Sequence, residues 1–317
     1  MTKEKSQTAG RDRLFADCCD EWLNANAPRV KQATYIKYEG ILRNYIKAHL
    51  GTLRPSELTT QTVDGLYAKL VREYELAPAS AKNILSVLGS VLKYTECACP
   101  GETRCVDVFQ PKDRRGEARV LTREEMGRLI RFLSHNMDNR KFGVLLALHT
   151  GLRIGELCAL RWQDVSILDR TVRVTASVQR IAAKQENGKR TKVLLTSPKS
   201  EASLRTIPVT ERLERFMRRT HPVSRDCFVL TGTRKCMEPR LLQYYFKQYM
   251  ETCGLRDVHF HTLRHTFATR CIEVGFEVKS LSEILGHAST QVTLDRYAHS
   301  SMELKRMNMH KLKRVGL

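Results

Sequence analysis

Four short stretches carry side chains whose types and spacing could do chemistry. In HTGLRIGELCALRWQDV, residues 149–165, Gly151 breaks an apolar helix and a new helix begins around Ile154 to Glu156, so Arg153 is held at the turn. Its planar fork suits a bidentate anion better than a lysine ammonium does. The competing reading is a structural bridge from Arg153 to Glu156 or Asp164. In HFHTLRHTFATRCIEVG, residues 259–275, His259, His261, Arg264 and His265 crowd the start of a helix. His261 and His265 have a spacing that metal ligands use, yet the carboxylate and third ligand of a zinc helix are missing and Arg264 between them repels a cation. His261 and Arg264, three apart, share a helix face and suit a phosphate pocket, with His265 packed or hydrogen-bonded as a structural histidine. SPKSEASLRTIPV, residues 197–209, puts Lys199 in the turn before a strand, a solubilising position unless that turn reaches over a site. LGHASTQVTLDRYAHS, residues 285–300, offers His287 and Tyr297. Alone, that tyrosine reads more readily as a packed aromatic than as a nucleophile.

The elements that position these groups fall into two parts. From Leu14 to Glu96 the apolar periodicity gives four helices and no strand. The first carries Leu14, Phe15, Trp22 and Leu23 and stops near Asn26-Ala27-Pro28. The second places Tyr35, Ile36, Ile41, Leu42, Tyr45 and Ile46 on one face and ends at Gly51. The third begins at Thr59 or Thr60, and Ser80 caps the fourth. Lys31, Lys37, Arg43, Lys47, Lys82 and Lys93 decorate these helices; each alone reads as a solvated face, and together they read as a phosphate-tracking surface. Between Cys97 and Ala118 the periodicity collapses into a Pro- and Gly-containing linker. Cys97, Cys99 and Cys105 lie there; their C-x-C spacing departs from the usual zinc pattern and favours free thiols. A capping box, Thr122 with Glu125, opens the second part. That part is helical except for one β region, in which TVRVTASVQRIA and TKVLLT flank a turn and LRTIPV adds a third strand. Gly286 ends one helix, and Ser289 or Thr290 caps the next, which carries Tyr297.

Charge names the class of partner. The chain has 54 Lys and Arg against 34 Asp and Glu over 317 residues, a formal +20 that a fold does not require and a polyanion rewards through counterion release. Nucleic acid leads, with an anionic membrane surface behind it. No apolar run approaches the ~20 residues of a membrane span, and the polar N-terminus MTKEKSQTAGRDR is not a signal peptide. Ten scattered cysteines without an export signal fit a reducing interior, so a cytoplasmic, nucleoid-associated protein is expected.

Arg153 in GLRIGE, Lys199 in SPKS followed by S-x-R-x-I-P, His261 and Arg264 in HTLRH, His287 in LGH and Tyr297 in RYAH follow the order and spacing of the tyrosine recombinases, and the chain resembles that phage-integrase family over essentially its whole length. The resemblance implies a mainly helical, two-domain fold with a small antiparallel sheet: a tail at 1–12, a SAM-like core-DNA-binding bundle at 13–97, a linker at 98–118, a catalytic domain at 119–300, and a C-terminal segment at 301–317 that docks on a neighbouring protomer. It implies that the two domains clamp duplex DNA, that Tyr297 attacks a scissile phosphate to give a 3′-phosphotyrosine, and that Arg153 and Arg264 hold the phosphate. It further implies that Lys199 protonates the leaving 5′-oxygen, that His261 assists proton movement at the tyrosine, that His287 hydrogen-bonds the phosphate, and that Glu156 orients the arginines. No cofactor is implied, neither ATP nor metal, which agrees with the absence of a P-loop motif from the sequence. A homotetramer on paired recombination sites is implied, with accessory bending or directionality proteins. Integration or excision of a mobile element is favoured over resolving chromosome dimers. A type IB topoisomerase and a non-catalytic DNA-binding regulator are the rivals.

Overall fold

The computed structural model describes residues 13–98, 106–111, 118–186, 189–196, 204–220 and 224–297, together with 306 and 309. The chain divides into two compact units, Met1–Gly116 and Glu117–Leu317.

The first unit is helical: α1 (Phe15–Asn26), α2 (Gln32–Ile41), α3 (Lys47–Leu50), α4 (Thr60–Arg72) and α5 (Pro78–Ala98). A π-helical segment, Leu42–Ile46, joins α2 to α3, so the long helix read from the sequence runs from Gln32 to Leu50 with one widened turn. Thr59 caps α4 through its hydroxyl, which accepts from the Thr62 amide. Ser80 does not cap α5. The helix starts two residues earlier at Pro78, whose locked φ and missing N–H suit a first helical position. Phe15, Trp22, Leu42, Ile46, Leu66, Leu70, Leu85 and Leu88 pack as one core, and Val106 and Val108 lie against it.

The second unit has eight helices and two small sheets among the described residues. The helices are α6 (Arg123–Ser134), α7 (Asn139–Thr150), α8 (Ile154–Ala159), α9 (Glu211–Arg218), α10 (Pro239–Thr252), α11 (Phe260–Glu273), α12 (Val278–Leu285) and α13 (Thr290–Tyr297). The strands are β1 (Val165–Ser166), β2 (Thr171–Val174), β3 (Ser177–Glu186), β4 (Lys189–Thr196) and β5 (Arg205–Pro208). The Thr122–Glu125 capping box forms, with the amide of each residue donating to the other's side chain at 2.8 and 3.1 Å. The β region is not one continuous sheet. TVRVTASVQRIA breaks at Thr175-Ala176; β2 goes to an antiparallel sheet of order β1-β2-β5, and β3 pairs with β4 as a separate hairpin. The division sends Arg205 and Ile207 to one face of β5 and leaves α8 against β3. There Gly155 is required: a Cβ would meet the Val178 carbonyl at 2.6 Å and Ser177 Oγ at 2.7 Å. Nearly all of α7 is buried, from Phe142 to Leu148, making it the axis on which α6, α8, α9 and α11 pack.

Candidate active site

Two helices that stop in the same way build the floor of the site. α7 ends at Gly151 with φ 67°, and α12 ends at Gly286 with φ 65°, left-handed turns that glycine adopts without a Cβ penalty. Helix C-termini present carbonyl oxygens that lack partners, at the negative end of the helix dipole. Arginines fill both ends. Arg264, on α11 and only 2% exposed, donates from Nη1 to Gly151 O and from Nη2 to Leu285 O, both at 2.8 Å. Arg153 donates from Nη2 to Gly286 O at 3.1 Å, and Arg205 from Nε to Ile284 O at 2.6 Å.

Glu156 is the carboxylate among them. It sits at the third position of α8, where it accepts the Arg153 amide at 2.9 Å and Arg153 Nη1 at 2.7 Å. Arg205 grips it from the other side with two bonds, 2.9 and 3.1 Å. Burial alone would raise the Glu156 carboxyl; Arg205 and then Arg153 outweigh it and hold the pKa at about 2. The Arg153 alternatives therefore resolve to Glu156, since Asp164 is taken by Arg173 at 3.3 Å. Among the described residues the guanidinium groups of Arg153, Arg205 and Arg264 gather about Glu156, which Arg153 and Arg205 hydrogen-bond. Burial and then the charge of Arg153 lower the Arg264 pKa to about 9. Fixed cations of this kind can stabilise an anion.

The hydroxyl lies in the same place. Tyr297, at the end of α13 and 7% exposed, packs with Leu281, Leu285, Ala268 and Cys271 of its own chain. Its hydroxyl is 2.9 Å from His265 Nδ1. Burial raises its pKa, and Arg264, Arg296 and Arg153 pull against that rise. The His287 ring runs parallel to the tyrosine ring, with centroids 6.5 Å apart, and its Nδ1 meets Thr293 Oγ1 at 2.8 Å. Burial and then Arg264 and Arg153 push His287 down to about 3, so the ring is neutral at pH 7. His261 stands at the mouth of the site with its ring edge-on to His265, centroids 4.6 Å apart. The surrounding protein, and then the charges of His265 and Arg264, lower its pKa to about 4.

Arg153, Glu156, His261, Arg264, His287 and Tyr297 are thus gathered by α7, α8, α11, α12 and α13. Lys199 lies outside the described residues, as do Cys99, Cys105 and most of the segment 301–317. Sequence reading gave no role to Arg205 and a merely structural one to His265. The signal for Arg205 was strand alternation, which puts it on the buried face with Ile207, where a guanidinium requires partners. In the first unit Lys31, Lys37, Arg43, Lys82 and Lys93 are exposed, whereas Lys47 is half-buried and paired with Asp20 at 2.7 Å. Among the described residues no three His, Cys, Asp or Glu side chains converge as metal ligands, and no helix is long and apolar enough to cross a membrane.

Comparisons with known proteins agree with this architecture. The phage integrase family model matches residues 119–303, and the model of the phage integrase N-terminal SAM-like domain matches residues 14–71. A XerC-like tyrosine recombinase of Caldanaerobacter subterraneus subsp. tengcongensis is 26% identical over 315 residues, covering 91% of this chain and 80% of its own. The integrase of the Tn1549 transposon, solved with transposon right-end DNA, superposes with a TM-score of 0.74 at 19% identity, covering 95% of this chain and 100% of the other. A lambda integrase tetramer bound to a Holliday junction gives a TM-score of 0.63 at 20% identity, over 93% and 81% of the two chains.

Proposed function

The chain belongs to the phage integrase family, and on that premise we propose that it is the site-specific recombinase of a mobile genetic element, cutting and rejoining DNA through a covalent bond to Tyr297. The observation that carries the reading is the placement of the buried Tyr297 hydroxyl near the guanidinium groups of Arg264 and Arg153, which backbone carbonyls and Glu156 hold in position.

In the proposed reaction the Tyr297 oxygen attacks the scissile phosphorus, the bond from phosphorus to the 5′-oxygen breaks, and a 3′-phosphotyrosine remains. Negative charge grows on the non-bridging oxygens as the pentacoordinate state forms. Arg264 and Arg153 are already fixed by backbone carbonyls and Glu156, so they meet that charge without reorganising. His287, neutral and oriented by Thr293, supplies a further hydrogen bond. Lys199 is assigned the proton for the leaving 5′-oxygen on the family resemblance. The phosphodiester energy stays in the tyrosyl link, so rejoining to another strand's 5′-hydroxyl consumes no nucleotide. Exchange between two duplexes asks for four copies of the chain, hence a tetramer on paired sites with accessory bending or directionality proteins. The exposed basic residues of the first unit are assigned to the DNA backbone.

A nicked suicide duplex bearing a candidate site, incubated with the protein in EDTA, tests this. A covalent protein–DNA adduct is expected from the wild type and none from Tyr297→Phe. An adduct from Tyr297→Phe, or one that appears only with Mg²⁺, sinks the mechanism. Relaxation of any supercoiled plasmid without strand exchange would indicate a topoisomerase instead.

A further inference from the structure

The family resemblance assigns the tyrosine's proton to His261, but among the described residues no hydrogen bond joins His261 to Tyr297. The hydroxyl meets Nδ1 of His265, one helical turn further along α11, at 2.9 Å. In the tautomer that carries its ring hydrogen on Nε2, Nδ1 is the acceptor and the phenolic O–H donates to it.

We propose that His265 is a catalytic residue, the base that takes the Tyr297 proton as the phenolic oxygen attacks DNA. The inference rests on Tyr297 being the nucleophile. In the forward step the O–H bond breaks and its proton passes to Nδ1. The bond from the tyrosine oxygen to phosphorus forms, and the 5′-oxygen departs with a proton from a separate acid. In rejoining, a 5′-hydroxyl gives its proton back to the separate acid as it attacks the phosphorus, the bond from phosphorus to the tyrosine oxygen breaks, and that oxygen recovers its proton from Nδ1, so the base is regenerated.

The charges around the ring suit the sequence of events. His261 and Arg264 face it from α11, Arg296 and Tyr297 from α13, and neutral His287 stands at the end of α12. Burial, then Arg296 and Arg264, lower the His265 pKa, so the free ring is neutral and able to accept. An imidazolium beside two guanidinium groups is disfavoured until a negative phosphodiester arrives. DNA binding therefore strengthens the base at the moment it is needed. His261, edge-on to His265 in the open mouth of the site, buttresses the ring rather than touching the hydroxyl.

The test pairs two suicide duplexes, one normal and one with a bridging sulfur in place of the leaving 5′-oxygen. Sulfur departs without protonation, so that substrate rescues defects in the leaving-group acid and not in the base. His265→Asn keeps an acceptor near the Nδ1 position and cannot take up a proton. It is expected to bind DNA and melt as the wild type does, to form adduct about 10²-fold more slowly on both substrates, and to lose the acidic limb of the rate-against-pH curve. His261→Asn is expected to keep that limb. The proposal is overturned if His265→Asn cleaves within about threefold of wild type, if the sulfur substrate restores it, or if the limb disappears with His261 instead. An adduct from Tyr297→Phe would remove the nucleophile itself, a result distinguishable from a slow His265→Asn.

Discussion

Glu156→Gln keeps the shape of the side chain and removes the carboxylate that Arg153 and Arg205 both grip. The carboxyl is held at about 2 against an ordinary 4.5, despite burial that pushes the other way. At about 1.36 kcal/mol per unit, that difference is worth about 3 kcal/mol to the ionised form, at the lower end of the ~3–5 kcal/mol typical of breaking a buried ion pair. The folded value lies below the unfolded one, so the stabilisation is complete above about pH 4.5 and is lost as pH falls towards 2. The chain has two tryptophans, Trp22 in the first unit and Trp162 in the second. In a Trp22→Phe background, urea unfolding followed by Trp162 fluorescence reports on the second unit alone. Wild type should exceed Glu156→Gln by about 3 kcal/mol at pH 7, with the gap narrowing as pH is lowered through 4 towards 2. A gap below about 1 kcal/mol at pH 7, or one unchanged by acid, would refute the claim that this carboxylate neutralises the cluster.

Two further substitutions probe the clamp. Arg264→Ala should bind the duplex and cleave about 10²–10³-fold more slowly, because the lost contact strengthens only as charge builds on the phosphate; quantifying adduct against gel-shift affinity separates the two, and unimpaired cleavage would remove Arg264 from the site. Gly151→Ala should lower stability by about 1–3 kcal/mol in a thermal or urea melt, since its φ is 67° and the new Cβ would press on Phe267 at 2.8 Å and Leu285 at 2.9 Å. The same change should slow cleavage beyond its effect on DNA affinity, because the Gly151 carbonyl holds Arg264.

What could be read from the sequence was local or stereotyped. The Thr122–Glu125 cap, the stops at Gly151 and Gly286 and the helix bearing Tyr297 depend on neighbours within a few residues, and all are present. Ser80 misled because a residue type that favours caps lay just inside a start that Pro78 determines. The β region misled because alternation in TVRVTASVQRIA is continuous, whereas its first half pairs with β5, far along the chain, and its second half with β4 across the following turn. Arg205 illustrates the larger limit. Its partners are Glu156, 49 residues before it, and Ile284 O, 79 residues after it, and no sequence pattern names a backbone oxygen. His265 was seen beside His261, but which of the two meets Tyr297 depends on the rotation of α11 against α13, set by packing around Leu281, Leu285 and Ala268.

The carbonyls of Ile284, Leu285, Gly151 and Gly286 hold three arginines through atoms that every amino acid possesses. Substituting half-buried Ile284 by another residue that keeps the helix leaves its acceptor in place, whereas Leu285 also fills the core beside Tyr297 and is not free to change. Mutational scans of this region should consequently be lopsided: tolerant at Ile284, which contributes mainly its oxygen, and intolerant at buried Leu285 and at Gly151 and Gly286, whose left-handed turns aim the carbonyls.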